Sequence, residues 1–377
     1  MWRRVSVAAT LIVLGGCLQG CGPTGTMSCG AYSPRQASLG GATAISASDI
    51  WAVGGTQDGS VTEHWDGQRW TSTEAPVGPW DGGAYLDAIS STGSRDVWAV
   101  GEGHKNGQNG TLIEHWDGIS WSVVTSPSPG IIDNRLTAVA AISENDAWAV
   151  GDYFGPGRDE PLIEHWDGTS WAVVDPPSPA ASIQQFAGIS AVDATDVWAV
   201  GLQTKSDGTG RQPLIEHWDG VAWQVVPSPN PGGGGQLNGV RALSASDVWA
   251  IGGRDSGGTP VPLIERWDGA SWTVQPSPDI SNASMQTIAA SGPADVWIAG
   301  ASTQDWLIEH WDGSRWSTTA PAAHSTGIVN AVTAQQDSVW AFGNRHTGLC
   351  GPDWALIERW DGKAWSYVRS PHDAPAS

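Results

Sequence analysis

Asp196-Val197-Trp198-Ala199-Val200-Gly201, followed by Leu214-Ile215-Glu216-His217-Trp218-Asp219-Gly220-Val221-Ala222-Trp223, is one copy of a pattern that fills the chain. The Trp of its first half recurs at 51, 98, 148, 198, 249, 297 and 340. The first Trp of its second half recurs at 65, 116, 166, 218, 267, 311 and 360, and the second at 70, 121, 171, 223, 272, 316 and 365. A length of 377 residues would otherwise point to two or three domains. Seven copies spaced 43 to 52 residues apart override that expectation and define a repeat architecture.

Each copy divides into four strand-like runs separated by turn signals. In the third, Leu136 to Ile142 leads through Ser143-Glu144-Asn145-Asp146 into Ala147 to Val150. A polar loop follows, then Leu162 to Trp166, the Asp167-Gly168 turn and Trp171 to Val174. Pro176-Pro177-Ser178-Pro179 stops the last strand, because proline has no N–H to donate. The first and last copies carry the same Trp positions as the middle ones, whereas a solenoid needs atypical capping units. The expected fold is all-β, a seven-bladed β-propeller of four-stranded antiparallel blades over residues 39–369.

Along Leu162-Ile163-Glu164-His165-Trp166 the side chains alternate, and both faces carry large apolar groups, as a blade packed between two neighbours requires. The repeated Glu-His pair invites reading as a metal site or acid–base couple. Its sevenfold recurrence, and the replacement of His by Arg266 and Arg359, point instead to structure, because a guanidinium donates hydrogen bonds but does not ligate metal. A charge-assisted network of Glu, His or Arg and the turn Asp is the expected arrangement. No metal or cofactor is called for. Three scaffold carboxylates per copy, with Asp337 one place before the usual position in the last, account for 21 of the 39 Asp and Glu, and the other 18 match the 18 Lys and Arg, so the net charge of −21 belongs to the scaffold. With no basic face, nucleic acid is excluded as a partner.

The motifs resemble those of Trp-rich repeat propellers of bacterial exported proteins and, more distantly, kelch, tectonin and Asp-box propellers; the Asp-Gly turn is similar to an Asp-box with a spacing one residue shorter. This resemblance covers residues 39 to 369 and implies a fold, not an activity. At the amino terminus, Arg3 and Arg4 precede an apolar run from Val5 to Leu14 that is too short to span a bilayer. Leu14-Gly15-Gly16-Cys17 and Leu18-Gln19-Gly20-Cys21 each resemble a lipobox, which implies residues 1–21 as a signal, lipidation at Cys17 or Cys21, and a lipoprotein on the extracytoplasmic side of a membrane; plain secretion is the alternative. Residues 22–38 read as a linker and 370–377 as a tail.

In a four-stranded meander the loops after the second and fourth strands share one face. That face holds the length variation, in Glu102 to Thr111, Asp152 to Pro161, Leu202 to Pro213 and Asn344 to Trp354. It also holds Trp80, Trp306 and Trp354, the Trp residues outside both the repeat and the signal, with Tyr85, Tyr153 and Phe154. These rings either bind a ligand or cover blade edges. The second position of the innermost strand varies as Gly40, Asp87, Thr137, Ala187, Asn238, Gln286 and Asn330, a set that forms either one asymmetric site at the channel mouth or a solvated rim. Arg241 is the charged residue within an inner strand body.

Two functions compete. One is a non-catalytic binding or scaffold protein of the cell envelope, a monomer whose loop-rich face takes a glycan or a protein. The other is a carbohydrate-active enzyme, a sialidase-like hydrolase or a lyase. A sialidase needs three arginines and a tyrosine; Arg135, Arg158, Arg211, Arg241 and Arg345 lie in suitable zones, but the chain has four Tyr and no entry motif. A copper site of the galactose-oxidase kind would rest on His346 with Cys350, which lack a nearby tyrosine in sequence. Cys29 and Cys350 are expected to form a disulfide at the seam between the first and last blades, closing a loop of about 320 residues worth about 3 to 5 kcal/mol. Non-reducing mass spectrometry of exported protein should recover the linked peptides; two free thiols would refute the pairing.

Overall fold

The computed structural model describes residues 37–373 except 57, 74, 75, 77, 178–181, 206–208, 230–232, 278, 279, 303–305, 323–326, 336, 337 and 347–352. All four cysteines, and with them the lipidation and disulfide assignments, lie outside the described residues.

Twenty-eight strands form seven separate sheets of four, each an antiparallel meander in chain order. The blades run Ser38–Thr73, Ala84–Val124, Asn134–Val173, Ser182–Val225, Gly235–Val274, Ala283–Thr319 and Gly327–Tyr367. Each innermost strand touches the next, and the seventh touches the first, so the sheets close into a seven-bladed β-propeller. Blade one contains four consecutive strands, so no strand is borrowed across the seam.

Within a blade the third- and fourth-strand Trp lie 5.5–6.1 Å apart, and the second-strand Trp joins such a pair across the interface. Each second-strand Trp lies against the third- and fourth-strand Trp of the following blade. Trp51 meets Trp116 at 5.0 Å and Trp121 at 5.3 Å between ring centroids, the latter edge-on at 83°. The same pair of contacts recurs at all seven interfaces, with centroid distances of 5.0–5.7 Å and 5.3–5.8 Å. At the seam, Trp340 of blade seven meets Trp65 and Trp70 of blade one. Edge-to-face geometry brings the positive rim of one ring to the negative face of another, adding about 0.5–1.5 kcal/mol per pair to the area buried.

The glycine that ends Trp-Ala-Val-Gly has a steric cause. In every blade the varied position of the inner strand is a β-bulge, skipped in the pairing with the second strand, as Gly40 is between Leu39 and Gly41. Opposite the bulge a Cβ on Gly54, Gly101, Gly151, Gly201, Gly252, Gly300 or Gly343 would overlap an inner-strand carbonyl oxygen. Bulges also re-aim side chains. Asp87 thereby reaches Arg135, Thr137 Oγ1 donates to Phe186 O at 3.0 Å, Asn238 Nδ2 to Met285 O at 2.7 Å and Asn330 Nδ2 to Leu39 O at 2.9 Å. Each of these contacts goes to the following blade.

The seam has a further tie. Residues 370–373 continue past the last strand and pack onto blade one. Ser370 Oγ donates to Glu63 Oε1 at 2.7 Å, His372 Nδ1 lies 2.8 Å from the same oxygen, and Arg345 pairs with Asp373. Glu63 is fully buried. Truncation after Arg369 strands this carboxylate and should cost about 3–5 kcal/mol. We expect a lowered Tm that Glu63→Gln restores in part in the truncated chain; an unchanged Tm would show that the seam does not depend on the tail.

Candidate functional site

The Glu and His of the repeated motif belong to two separate systems. Strand alternation sends them to opposite faces of the blade, so they do not share one network as the sequence led us to expect. The His faces the following blade. His64 stacks on Trp51 at 4.3 Å, and its Nε2 sits 2.8 Å from Asp49 Oδ1 at the start of the second strand. His115, His165, His217 and His310 repeat the pairing with Asp96, Asp146, Asp196 and Asp295. Arg266 replaces His by laying its guanidinium 4.6 Å over Trp249 while Nε donates to Asp247. The turn Asp stays apart from both: Asp66 Oδ1 accepts the N–H groups of Gln68 and Arg69, and Gly67 supplies the positive φ of 92°.

The Glu faces the preceding blade, and for four of the seven that blade supplies a donor. Ser60 Oγ donates to Glu114 at 2.8 Å, Ser228 Oγ to Glu265 at 2.9 Å, the Ala322 N–H to Glu358 at 3.1 Å, and Ser370 to Glu63. Ser228 and Ser370 belong to the Ser-Pro segments after the fourth strand, which therefore do more than stop a strand. Burial raises Glu114, Glu265 and Glu309 to about 7, and Glu164 and Glu216 to about 8. These groups are sealed between blades and offer no access to a substrate.

On the loop-rich face the structure sorts the candidate residues. Trp306 and Trp354 are 3% and 6% exposed, packed into the blade interiors. Trp80 is half-buried and lies flat on blade two, filling the space where a Cβ on Gly103 or Gly110 would stand. Tyr85 covers Gly40 and Gly55 of blade one, its hydroxyl 3.4 Å from Ser38 Oγ. Tyr153 packs on the edge of blade three's core, and Phe154 is half-buried beside it. Covering of glycine-bearing strands thus accounts for Trp80 and Tyr85, and burial within the sheets for Trp306 and Trp354.

Two polar clusters remain around the mouth. Between blades two and three, Arg135 Nε donates to Asp87 Oδ2 at 3.0 Å and its Nη2 to the other oxygen, a bidentate pair. Burial alone would lower the Arg135 pKa, but Asp87, with Glu102 and Asp152, reverses this and holds the guanidinium charged. Glu102 is raised by its own burial, helped by Asp87 and Asp133. Across blades four, five and six, Arg211 Nη1 donates to Gln236 Oε1 at 2.8 Å, Gln236 Nε2 to Asn238 Oδ1 at 2.7 Å, and Asn238 and Gln286 both reach Ser284 Oγ, at 3.3 and 3.4 Å. Arg241 projects from its inner strand beside Ala290 O, 3.5 Å away; enclosure by the strands lowers its pKa although its surface is open to water. Asn330 is turned into the seam.

The candidate arginines do not converge. Arg135 and Arg158 of blade three and Arg345 of blade seven each pair with a carboxylate of their own, Asp87, Glu160 and Asp373. The side chain of His346 and all of Cys350 lie outside the described residues.

Solved structures with the same architecture include one titled "YCF48 bound to D1 peptide", with a TM-score of 0.57 and 17% identity over 91% of this chain and 95% of that one. The WD40 β-propeller domain of Doa1 matches with a TM-score of 0.55 and 11% identity over 83% and 90%, and U3-55K with 0.54 and 11% over 81% and 88%. At such identities the likeness is one of fold. No protein-family model and no curated protein sequence matches the chain.

The buried glutamates set a pH dependence. In the unfolded chain they ionise near 4.5, and in the folded chain only near 7 to 8, so the folded state holds more protons in between. Their stabilisation is complete below pH 4.5 and lost as pH rises through 7 to 8. The turn carboxylates act in the opposite sense at the acid end: hydroxyl and backbone donors lower Asp167 and Asp312 to about 2, so their contribution is complete above pH 3.8 and lost as pH falls from there through about 2. Thermal melts should therefore peak near pH 4 to 5, with Tm about 5–15 °C lower at pH 8. Glu164→Gln with Glu216→Gln should flatten the alkaline side; a Tm that is level or rises from pH 5 to 8 would contradict the assignment.

Proposed function

We propose that this chain is a non-catalytic binding propeller, exported and held by lipid at Cys17 or Cys21 on the extracytoplasmic side of a membrane, whose loop-rich face grips a segment of a partner protein. The observation that carries this reading is the connected row Arg211, Gln236, Asn238, Ser284 and Gln286 at the channel mouth. Amide and hydroxyl side chains in a row offer both donors and acceptors, which is what an extended peptide backbone needs. A glycan would use exposed rings for stacking, and Trp306 and Trp354 are instead inside the blades. A neighbour of the same architecture is titled as bound to a peptide, which supports the same class of ligand. The hydrolase alternative needs arginines free to converge on a substrate carboxylate, and three of its candidates already hold carboxylates of the chain.

A photo-crosslinking residue introduced at Gln286 should give protein adducts in intact cells, and one at Ile119, in an Asp-Gly turn of the opposite face, should not. Gln236→Ala with Gln286→Ala should reduce partner capture at least tenfold while leaving the Tm in place. Equal crosslinking from the two faces, or saturable binding on a glycan array that the same double variant abolishes, would overturn the protein-binding reading.

A further inference from the structure

Ile131 and Ile132 are 62% and 51% exposed. They lie side by side on the loop-rich face, in the connection from blade two to blade three. The corresponding connections elsewhere carry Trp80, which folds down onto its own blade, or small and polar runs such as Ala180-Ala181-Ser182 and Gly232 to Gly235. No other interface places two adjacent large apolar residues at this point of the sequence.

The loop that carries them is braced on both sides. The Ile131 N–H donates to Phe154 O at 3.2 Å and the Phe154 N–H to Asp133 O at 2.8 Å, joining the loop to the second strand of blade three. The Asn109 N–H donates to Ile132 O at 2.9 Å, and Gln108 Nε2 to Ile131 O at 3.0 Å, joining it to the third strand of blade two. Asn134, only 3% exposed, locks the base: Oδ1 accepts the Gly130 N–H, and Nδ2 donates to Asn109 O and Gly130 O. The backbone polar groups on which a loose loop would rely for solvation are thus tied into both blades. Two branched apolar side chains on a rigid support make a docking point whose ordering cost has already been met in folding.

The surroundings define what docks there. Glu102 and Asp133 share a single amide, the two N–H donors of Asn109 at 3.0 and 2.9 Å. Asp87 and Asp152 stand with Glu102 around Arg135. Carboxylates outnumber the guanidinium they surround, and the nearby Arg158 is neutralised by Glu160. This local excess of negative charge opposes an anionic lipid surface and favours a cationic ligand. We propose that Ile131 and Ile132, with Phe154 beside them and the carboxylates of Glu102 and Asp133 at their side, form a docking surface for a basic protein segment that alternates Lys or Arg with large apolar side chains. This proposal rests on the reading of the loop-rich face as a protein-binding face and names the chemistry of the partner.

A random peptide library displayed on phage and panned against the full chain tests it. We expect enriched sequences that are rich in Lys or Arg and in Leu, Ile or Phe. Fluorescence anisotropy with a labelled selected peptide should show at least tenfold weaker binding to Ile131→Ser/Ile132→Ser, whose Tm should match that of the parent because both side chains lie in solvent. Glu102→Gln with Asp133→Asn should flatten the salt dependence of binding. Enrichment of acidic peptides, or unchanged affinity for the double Ile variant, would overturn the proposal. Peptides that require Gln236 and Gln286 but not the isoleucines would overturn it while leaving the binding face intact; no enrichment at all would overturn both.

Discussion

The structure depends on one contact repeated seven times, the second-strand Trp pressed against two Trp of the following blade. Its other face is covered by the His or Arg of its own third strand. Blade seven separates the parts of this unit. There Ser338 stands where other blades have Asp, yet the Arg359 guanidinium still lies 5.3 Å from the centre of Trp340 and the Trp340 indole donates to Ser338. The stack is therefore the constant and the ion pair an addition. A planar, weakly hydrated group that can also donate a hydrogen bond meets the requirement, which is why His and Arg interchange here.

The repeat, the number of blades and the closure of the ring were all legible, because a Trp at a fixed spacing signals its role wherever it occurs. What lay beyond the sequence were relations between blades. Alternation already placed Glu and His on opposite faces, but only the packed ring shows what each face meets, an Asp of the same blade for His and, at four of the seven blades, a donor of the preceding blade for Glu. The serine of the Ser-Pro segments was visible as a turn signal; its bond to a carboxylate 37 residues later in one case, and 307 residues earlier in another, was not. Trp306 and Trp354 were read as loop aromatics because they fall outside the repeat, whereas strand pairing with Ala301 and Arg345 carries them into the sheets.

The varied second position of the inner strand shows why disagreement between repeats is not by itself a sign of function. Its residues differ because a bulge frees each side chain from the ladder, and the neighbouring blade then decides what suits it. Asp87, Thr137, Asn238 and Asn330 serve as clamps to the following blade, each with a different acceptor or donor. Gly40 is bare because the Tyr85 ring and the Leu86 carbonyl occupy the space a side chain would need. Ile131 and Ile132 were missed for the opposite reason: their only signal is two apolar residues in a loop, which acquires meaning once the loop is seen to be rigid and the side chains uncovered.

The same bulge links construction to recognition. A closed ring of equivalent blades has a mouth of sevenfold symmetry and, without variation, no means of orienting a single ligand. Freed from the ladder, the bulged positions break that symmetry at little cost, since the Trp stacks below them are unchanged from blade to blade. Where the freed side chain is used as a clamp, as in Asp87 with Arg135, it brings charge to the rim while still joining blades. Acidic groups gather in this way at blades two and three and amides at blades five and six, while blades one and four present Gly40 and Ala187. An extended ligand crossing the mouth would meet unlike chemistry at its two ends, and polarity of that kind fixes the direction in which a chain can bind.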